Sequence, residues 1–406
     1  MERTAVIVVG HTCLDVIPSL KGGEQRLSQV LAPGQLRKVG PLVLATGGAV
    51  PNTGLALHRL GTPARLVGKV GDDFIGRAIV EIIQGYDPAL ADGMIVKAGA
   101  DSSYTVILSS PGLDRTFLHY PGPNDTFRAE DVPDEVLQGG RILHFGYPPL
   151  MRQMYLNNGE ELLTLLQRAR DHGLVTSLDV SQPDPDSEAG RADWATILAR
   201  ILPYVDIYLP GVEETLLMLD PGRFARLSEE AGEASLLSRV DGGLLQDLAA
   251  QLLEFGAAVV GLKLGDQGLY LRTTSDHRRL SVVDEALPIQ HRPWLNRELL
   301  APAFKANLVG ATGAGDCTVA GFLTAMVKGL AADVTLRAAV AVGAFNVEAA
   351  DAVSGVPTWD VVWQRIDAGW DQIPTHLRLR GWGWEVDRQL WIGPGDRGGL
   401  IAQRDN

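Results

Sequence analysis

Short apolar runs alternate with amphipathic helical segments along most of this chain of 406 residues, and this alternation limits the possible folds more than any other feature. The apolar runs are short enough for buried strands, and they cover residues 4–10, 141–146, 174–180, 205–209 and 257–263. Strands that alternate with helices form βαβ units, in which the strands run parallel. The sequence therefore predicts an α/β fold with a doubly wound, mostly parallel sheet that carries helices on both faces.

Two segments depart from this alternation. Residues 103–110 and 115–120 form short strands around a Pro-Gly turn, which predicts a hairpin that acts as a flap on the main sheet. Residues 273–308 contain proline, tryptophan and charged residues without a clear period, and we interpret them as a long loop.

The tail from about residue 357 differs in composition from the rest of the chain. It contains six of the eight tryptophans, which are Trp359, Trp363, Trp370, Trp382, Trp384 and Trp391. Stacked aromatic side chains can form a surface for a sugar or a protein partner. A small appendage that packs on the main domain is the favoured interpretation.

Composition excludes several classes of protein. The formal net charge of −13 argues against a general nucleic-acid binder, which needs a basic face. The two cysteines, Cys13 and Cys317, indicate no disulfide framework. The apolar run of residues 5–9 is too short for a secretion signal, and no run is long enough to span a membrane. We expect a cytoplasmic protein with neither nucleic acid nor a membrane as partner.

The stretch from Gly310 to Leu330 joins a Gly-rich first half to an apolar, helical second half. This order places Gly313-Ala314-Gly315 at a helix N-terminus, where free backbone N–H groups attract an anion and a phosphate can come close. Asp316 is a carboxylate among groups that favour an anion, so it needs a separate role. One such role is to take a proton from a hydroxyl group that attacks the phosphate.

Polar residues near the N-terminus are candidates for the other half of a site. Asp15 follows the first strand, where open α/β sheets bind ligands, although a turn or capping role is equally compatible with its position. Gly47 and Gly48 precede a short helix, and Asn52 lies in its first turn. An ordinary N-cap is the alternative role for Asn52.

Two stretches together resemble the signatures of the ribokinase family of carbohydrate kinases, the phosphofructokinase-B type. Residues 47–61, followed by residues 68–76, resemble its N-terminal signature, and residues 310–316 are similar to its C-terminal signature. The two occur in the family's order and at roughly its separation. Matching positions run from residue 5 to about residue 357.

The resemblance implies a fold and an activity. The fold is a ribokinase-like, Rossmann-type doubly wound sheet with a small β-sheet lid over the sugar. We therefore expect a kinase domain over residues 1–357, lid strands from about 12–46 and 101–122, and an appendage over residues 358–406. The implied activity is ATP-dependent phosphorylation of a hydroxyl group of a sugar or sugar-like substrate, with Mg²⁺ as cofactor.

The resemblance also implies roles for individual residues. Asp316 would be the catalytic base, and the anion hole would be formed by Gly313, Ala314 and Gly315. The sugar hydroxyls would be bound by Asp15, Gly47, Gly48 and Asn52. The nucleotide site would be lined by Lys263, Gly265, Gly268, Thr312 and Asn346. Glu214 would hold Mg²⁺ and phosphate largely through water.

Three positions depart from the family pattern. Gly310 stands where the family usually has an aspartate that helps to form a monovalent-cation site, so K⁺ is a doubtful cofactor. Gly211 replaces the asparagine of the motif that contains Glu214, and Ser181 replaces a common asparagine after Asp179. None of these changes affects the base or the anion hole, so the implied reaction class stands.

Other functions compete with a sugar kinase. A nucleoside kinase of the same family would use the same residues around a ribose, and a non-catalytic sugar sensor would keep the fold. The intact Gly-Ala-Gly-Asp sequence argues against the sensor. A dinucleotide-binding oxidoreductase is disfavoured, because no strand-linked Gly-x-Gly-x-x-Gly occurs near the N-terminus. The resemblance also allows a homodimer that pairs through the lid.

Overall fold

A large mixed sheet forms the centre of the molecule. The computed structural model describes residues 4–20, 33–36, 38–108, 116–232, 234–289 and 292–398. Within these residues the sheet has ten strands, in the spatial order β15 (Gly383–Glu385), β16 (Leu390–Ile392), β14 (Glu298–Ala301), β13 (Leu269–Thr273), β12 (Val259–Lys263), β11 (Ile207–Tyr208), β10 (Val175–Asp179), β9 (Ile142–Gly146), β1 (Val6–Gly10) and β4 (Ala64–Val67). In this spatial order, neighbouring strands from β12 through β11, β10, β9 and β1 to β4 are parallel. Neighbouring strands from β12 through β13, β14 and β16 to β15 are antiparallel.

Two smaller sheets lie beside the main one. A four-stranded sheet has the order β3 (Leu42–Gly47), β2 (Cys13–Pro18), β7 (Tyr104–Leu108) and β8 (Thr116–Tyr120). We call this sheet the lid. A two-stranded sheet pairs β5 (Lys69–Gly71) with β6 (Ile95–Lys97). The strands of the predicted hairpin are β7 and β8, and the turn that joins them lies outside the described residues.

The α-helices pack on the main sheet and around the lid. In chain order they are α1 (Ala49–Arg59), α2 (Phe74–Tyr86), α3 (Asp134–Leu137), α4 (Arg152–Asp171), α5 (Trp194–Ile201), α6 (Val212–Leu219), α7 (Pro221–Ala231), α8 (Gly242–Glu254), α9 (His277–Ala286), α10 (Ala314–Val327), α11 (Ala332–Asn346) and α12 (Trp359–Asp367). No helix within the described ranges is both long enough and apolar enough to cross a lipid bilayer.

Two buried clusters, one on each face of the main sheet, form the core. Successive side chains of β1 alternate between them, with Val6 and Val8 in one cluster and Ile7 and Val9 in the other. This is the alternation expected of a strand that is covered on both faces. The predicted doubly wound α/β fold with a lid is confirmed.

The predicted long loop over residues 273–308 is wrong. This segment contains the helix α9 and the strand β14, which lies inside the main sheet. The sequence did not indicate this strand, because the strand begins with the charged residue Glu298. In the structure this side chain is fully buried. Its carboxylate accepts a hydrogen bond from the Tyr270 hydroxyl at 3.1 Å and pairs with Arg272 at 3.0 Å, so local partners compensate the buried charge.

The Trp-rich tail packs on the main sheet and adds strands to it. Its strand β16 pairs with β14, so that Leu300 lies opposite Trp391, and the tail thereby extends the main sheet. Trp370 stacks on Phe304 with ring centroids 4.7 Å apart. The core therefore continues past residue 357 into the tail.

Candidate active site

Two adjoining cavities open at the carboxyl ends of the parallel strands, where ligands bind in sheets of this kind. The larger, of about 640 Å³, lies between the lid and the main sheet. It is lined by predicted site residues Asp15, Gly48, Asn52, Glu214, Lys263, Gly265, Thr312, Gly313, Gly315 and Asp316. The smaller, of about 480 Å³, is lined mostly by apolar side chains and includes the predicted residues Lys263, Gly265, Gly268, Ala314 and Gly315.

The Asp316 carboxylate occupies a fixed position in the larger cavity. It lies in the first turn of α10 and is 2% exposed. One oxygen, Oδ2, accepts a hydrogen bond from Asn52 Nδ2 at 2.9 Å, and the other, Oδ1, accepts one from the Tyr147 hydroxyl at 2.7 Å. Burial raises the pKa of Asp316, while the Lys263 ammonium and the two hydrogen bonds oppose that shift. The side chain is thus a carboxylate whose basicity exceeds that of an exposed aspartate.

Asn52 joins the lid side of the cavity to Asp316. It lies inside α1, whose N-cap is Gly48, so it does not serve as a helix cap. Its amide nitrogen donates to Asp316, and its Oδ1 atom is buried without a partner among the described residues. A buried acceptor beside the carboxylate can receive a hydrogen bond from a substrate hydroxyl group.

Tyr147 is a site residue that the sequence analysis missed. It follows β9 in a left-handed conformation with φ of 66°, which is rare for a residue other than glycine. Its backbone N–H donates to the Asp179 carbonyl at 3.1 Å, which ties this turn to the end of β10. In the sequence, the Pro-Pro pair that follows the strand is the one indication of an unusual turn. No local feature predicts that Tyr147 contacts Asp316.

The N-terminus of α10 has the geometry of an anion site. Gly313 is its N-cap with φ of 74°, and a Cβ atom there would lie 2.5 Å from the Ala352 carbonyl oxygen. A Cβ atom on Gly315 would lie 3.4 Å from Lys263 Nζ. The free N–H groups of the first turn and this ammonium therefore lie close together, which suits a phosphate.

Lys263 connects the two cavities. It ends β12, and its Nζ atom lies 2.6 Å from Asp179 Oδ2 at the end of β10. Burial raises the pKa of Asp179 to about 7, although Lys263 opposes the shift. Among the described residues that line the larger cavity, Lys263 is the only lysine or arginine.

The lid supplies the far wall of the larger cavity. Asp15 lies within β2 and is 6% exposed, so it is part of a strand and not a turn. Gly47 lies opposite Cys13 in β3, and a Cβ atom there would overlap the Asp15 carboxylate at 2.2 Å. Gly48 has φ of 91° and lies against the His11 ring. The two glycines thus make room for Asp15 and His11, and Gly48 itself lines the cavity.

Comparison with known proteins identifies the family. A model of the pfkB family carbohydrate kinases matches residues 3–359. The chain belongs to the pfkB family of carbohydrate kinases. Fructokinase-1 of Zea mays is 24% identical to this kinase over 332 residues, which are 80% of this chain and 84% of that protein. The predicted class, an ATP-dependent carbohydrate kinase, is confirmed.

Solved structures share the fold of this kinase. The fructokinase of Xylella fastidiosa with bound ATP has a TM-score of 0.65 at 18% identity, and the match covers 90% of this chain and 99% of that one. The ribokinase of Arabidopsis thaliana complexed with ribose and ATP has a TM-score of 0.62 at 18% identity, and the match covers 89% and 98%. At this identity the likeness concerns the fold alone.

Two of the positions that depart from the family pattern, Gly211 and Gly310, leave little room for a side chain. A Cβ atom on Gly211 would lie 1.9 Å from Glu214 Oε2, so the Glu214 carboxylate folds back over the start of α6. The glycine is therefore needed for this placement. A Cβ atom on Gly310 would lie 2.9 Å from the Ala349 carbonyl oxygen. An aspartate at position 310 would require the backbone around Ala349 to move.

Two predicted nucleotide-site residues, Thr312 and Asn346, are linked to each other. Asn346 is fully buried at the end of α11 and donates from Nδ2 to the Thr312 carbonyl at 2.8 Å. Thr312 lines the larger cavity, whereas Asn346 lines neither of the two. In this structure Asn346 holds the loop that precedes the anion site.

Proposed function

We propose that this kinase transfers the γ-phosphoryl group of ATP to a hydroxyl group of a sugar or sugar-like acceptor, with Asp316 as the catalytic base. One observation carries the proposal. The Asp316 carboxylate is oriented by Asn52 and Tyr147 beside the residues that both cavities share, which include Gly315 and Lys263. The acceptor then occupies the larger cavity, and the adenine occupies the smaller, apolar one.

The chemistry follows from this arrangement. Asp316 takes the proton of the acceptor hydroxyl as its oxygen bonds to the γ-phosphorus, and the bond to the β–γ bridging oxygen breaks to leave ADP. The α10 N-terminus at Gly313–Gly315 and the Lys263 ammonium stabilise the charge on the transferred group. Asp15 and Asn52 orient the acceptor hydroxyls. The lid excludes water, which would otherwise compete as acceptor.

The charges of the larger cavity fit a bound divalent cation. The described side chains that line it carry four carboxylates, on Asp15, Glu213, Glu214 and Asp316, against the single ammonium of Lys263. Mg²⁺ prefers oxygen ligands and keeps several waters, so we propose that Glu214 holds it through water. When bound, the ion neutralises charge on the phosphates.

The test of the base is the Asp316→Asn variant. We expect its kcat to fall by about 10²–10⁴-fold, since the amide cannot accept the proton, while ATP binding measured by calorimetry stays nearly unchanged. Asp360→Asn is the matched control, because Asp360 also lies in the first turn of a helix but is exposed and lines neither cavity. Unchanged turnover in Asp316→Asn would refute the assignment.

A nucleoside is the second candidate for the acceptor. Ile107, Phe117 and Leu150 line the larger cavity beside its polar end, so an acceptor with a ribose and an apolar base also matches the lining. Comparing kcat/KM for fructose, ribose and a set of nucleosides, with ATP and Mg²⁺, decides between the two classes. Repeating the assay with and without K⁺ tests whether K⁺ activates this kinase, which is in doubt because Gly310 replaces the family's aspartate.

We also propose that the lid pairs with the lid of a second copy. Alternate residues of the lid strands face away from the cavity and expose apolar side chains, among them Leu42, Leu44, Tyr104, Leu118 and Tyr120. A contiguous apolar face of this kind is typical of an interface. We expect a dimer in light scattering, and we expect Leu118→Lys to yield a monomer. A wild-type monomer at all concentrations would contradict this proposal.

We infer the cell compartment from the two thiols. Cys13 and Cys317 are both free and buried, which suits a reducing environment. We propose that the kinase acts in the cytoplasm, and localisation of the tagged chain in its host tests this. A second pool in an oxidising compartment would argue against it.

A further inference from the structure

Three metal-ligating side chains meet on the lid side of the larger cavity, and the proposed phosphoryl transfer uses none of them. They are His11, in the loop after β1, Cys13 at the start of β2, and His119 on β8. One ring nitrogen of each histidine and the Cys13 sulfur all lie within 4.8 Å of one another. His11 and Cys13 are each 2% exposed, and His119 is partly exposed.

We propose that His11, Cys13 and His119 form a binding site for a Zn²⁺-type cation, which links the lid to the main sheet and thereby blocks the acceptor. The distance between His11 Nε2 and His119 Nε2 is 3.3 Å. Two imidazoles on one tetrahedral Zn²⁺, with bonds of about 2.0–2.1 Å, place their nitrogens about 3.3–3.4 Å apart. The two rings are therefore already spaced as they would be around the ion.

The ligand types select the metal. Two imidazoles and a thiolate suit Zn²⁺, whereas Mg²⁺ requires oxygen ligands. The site is thus chemically distinct from the Mg²⁺ that accompanies ATP. Three protein ligands would leave one coordination position, which a water can take.

Neighbouring groups support the ligands. Thr105 Oγ1 lies 3.0 Å from His119 Nδ1 and 3.4 Å from Cys13 Sγ. If His119 Nδ1–H donates to Thr105, its Nε2 atom carries the lone pair that a metal needs. Burial lowers the pKa of both histidines, that of His119 to about 4, so both are neutral at physiological pH. The Asp15 carboxylate, 3.5 Å from Cys13 Sγ, adds attraction for a cation.

Cys13 must lose its proton to bind the metal. Burial and the charge of Asp15 raise its thiol pKa well above the usual value, so the empty site holds the thiol. A bound dication reverses this preference and deprotonates the sulfur. Each binding event therefore forms one metal–sulfur bond and releases one proton to the buffer.

The binding test uses Co²⁺ as a spectroscopic probe for Zn²⁺ on the full chain without an affinity tag. We expect one equivalent of Co²⁺ to produce tetrahedral ligand-field bands and a thiolate charge-transfer band, and Zn²⁺ to displace it. Cys13→Ser should lose the charge-transfer band, and His119→Gln should weaken binding by more than about 100-fold, beyond the 10–100-fold typical of outer-shell partners. Thr105→Val should weaken it by about 10–100-fold.

The matched control is Cys317→Ser, which removes the only other thiol and should bind Co²⁺ like the wild type. Cys317 is fully buried, and its thiol donates to the Ala352 carbonyl at 3.3 Å. Absence of a charge-transfer band in the wild type, or its persistence in Cys13→Ser, overturns the site. Calorimetry in two buffers of different ionisation enthalpy should report one released proton, and no release would equally overturn thiolate ligation.

The inhibitory role rests on the proposed kinase function and has its own measurement. At saturating Mg²⁺–ATP, Zn²⁺ should lower kcat/KM for the acceptor by at least about tenfold in the wild type. Cys13→Ser should resist this inhibition under the same conditions. Because ATP chelates Zn²⁺ equally in both assays, the difference between the two proteins reports the metal site. Equal inhibition of both proteins overturns this role. If no acceptor is phosphorylated at all, the kinase proposal fails while the Co²⁺ spectrum still tests the metal site.

Discussion

At the scale of single residues, the contact between Tyr147 and Asp316 has the clearest consequence for catalysis. The tyrosine hydroxyl donates to the carboxylate at 2.7 Å, which favours the charged form and lowers the pKa of Asp316. Burial acts in the opposite direction and dominates. The hydrogen bond therefore keeps the buried carboxylate of the proposed base ionised over a wider range of pH.

The Tyr147→Phe variant should move the acidic limb of the pH profile of kcat/KM to higher pH. Without the hydroxyl the pKa of Asp316 rises, and because the proposed base acts as a carboxylate, activity below that pKa is lost. A hydrogen bond to a charged group contributes about 1.5–3 kcal/mol, so we expect a shift of about one to two pH units.

The control for this shift is Tyr204→Phe, which removes a hydroxyl that lines neither cavity. Its pH profile should match that of the wild type. An acidic limb that stays in place in Tyr147→Phe, with only a uniform loss of rate, would mean that Tyr147 positions the acceptor and does not tune the base.

At the scale of elements, helix α10 holds the proposed anion site and depends on glycine at both of its ends. Gly313 has φ of 74° at the N-cap, and Gly329 has φ of 77° just beyond the C-terminus. A Cβ atom would lie 2.5 Å from the Ala352 carbonyl oxygen at the first position and 2.6 Å from the Pro288 carbonyl oxygen at the second. The two ends face similar steric limits, but only the first adjoins the cavities.

Gly313→Ala and Gly329→Ala together separate stability from catalysis. Both should lower the free energy of unfolding by about 1–3 kcal/mol, because alanine is strained in the left-handed region. Only Gly313→Ala should also lower kcat/KM for ATP, by about 10–100-fold, since it displaces the N–H groups that face the phosphate. Denaturant titration and steady-state kinetics measure the two effects, and an equal kinetic loss in Gly329→Ala would count against a local anion hole.

At the scale of the whole molecule, the tail is part of the core that supports the smaller cavity, which we propose for the nucleotide. Trp370 packs between Phe304 and the Arg365 guanidinium, whose carbon lies 3.7 Å from the indole centroid. Its Nε1–H donates to the Lys305 carbonyl at 2.6 Å. Phe304 in turn lines the smaller cavity, so the tail contacts the back of that wall.

Trp370→Ala should therefore destabilise the whole protein. Removing a buried tryptophan costs about 3–5 kcal/mol, and we expect that loss in the free energy of unfolding. Trp384→Ala is the control, because Trp384 is 41% exposed and lies edge-on to Trp391 with ring centroids 5.4 Å apart. This variant should lower the free energy of unfolding by no more than about 1.5 kcal/mol. Equal losses for the two variants would indicate that the tail is a peripheral appendage after all.

Some properties of this protein follow from the sequence because they depend on neighbouring residues. The period of apolar residues predicts the strands and helices, and the glycines at residues 313 and 315 predict a helix start that binds an anion. Two short signatures were enough to predict the family, the fold and the kinase class. Local chemistry was misleading at Glu298. This charged residue begins a strand of the central sheet, where Tyr270 and Arg272 satisfy its charge.

Only the tertiary structure decided which distant residues meet. Tyr147 and Asn52 are separated from Asp316 by 169 and 264 positions, and no local pattern pairs them. The same holds for His119, which reaches His11 only because the lid folds over the main sheet. The physical reason is that periodicity and backbone preference act over a few residues, whereas the contacts that tune a base or assemble a metal site are set by the order of strands in the sheets.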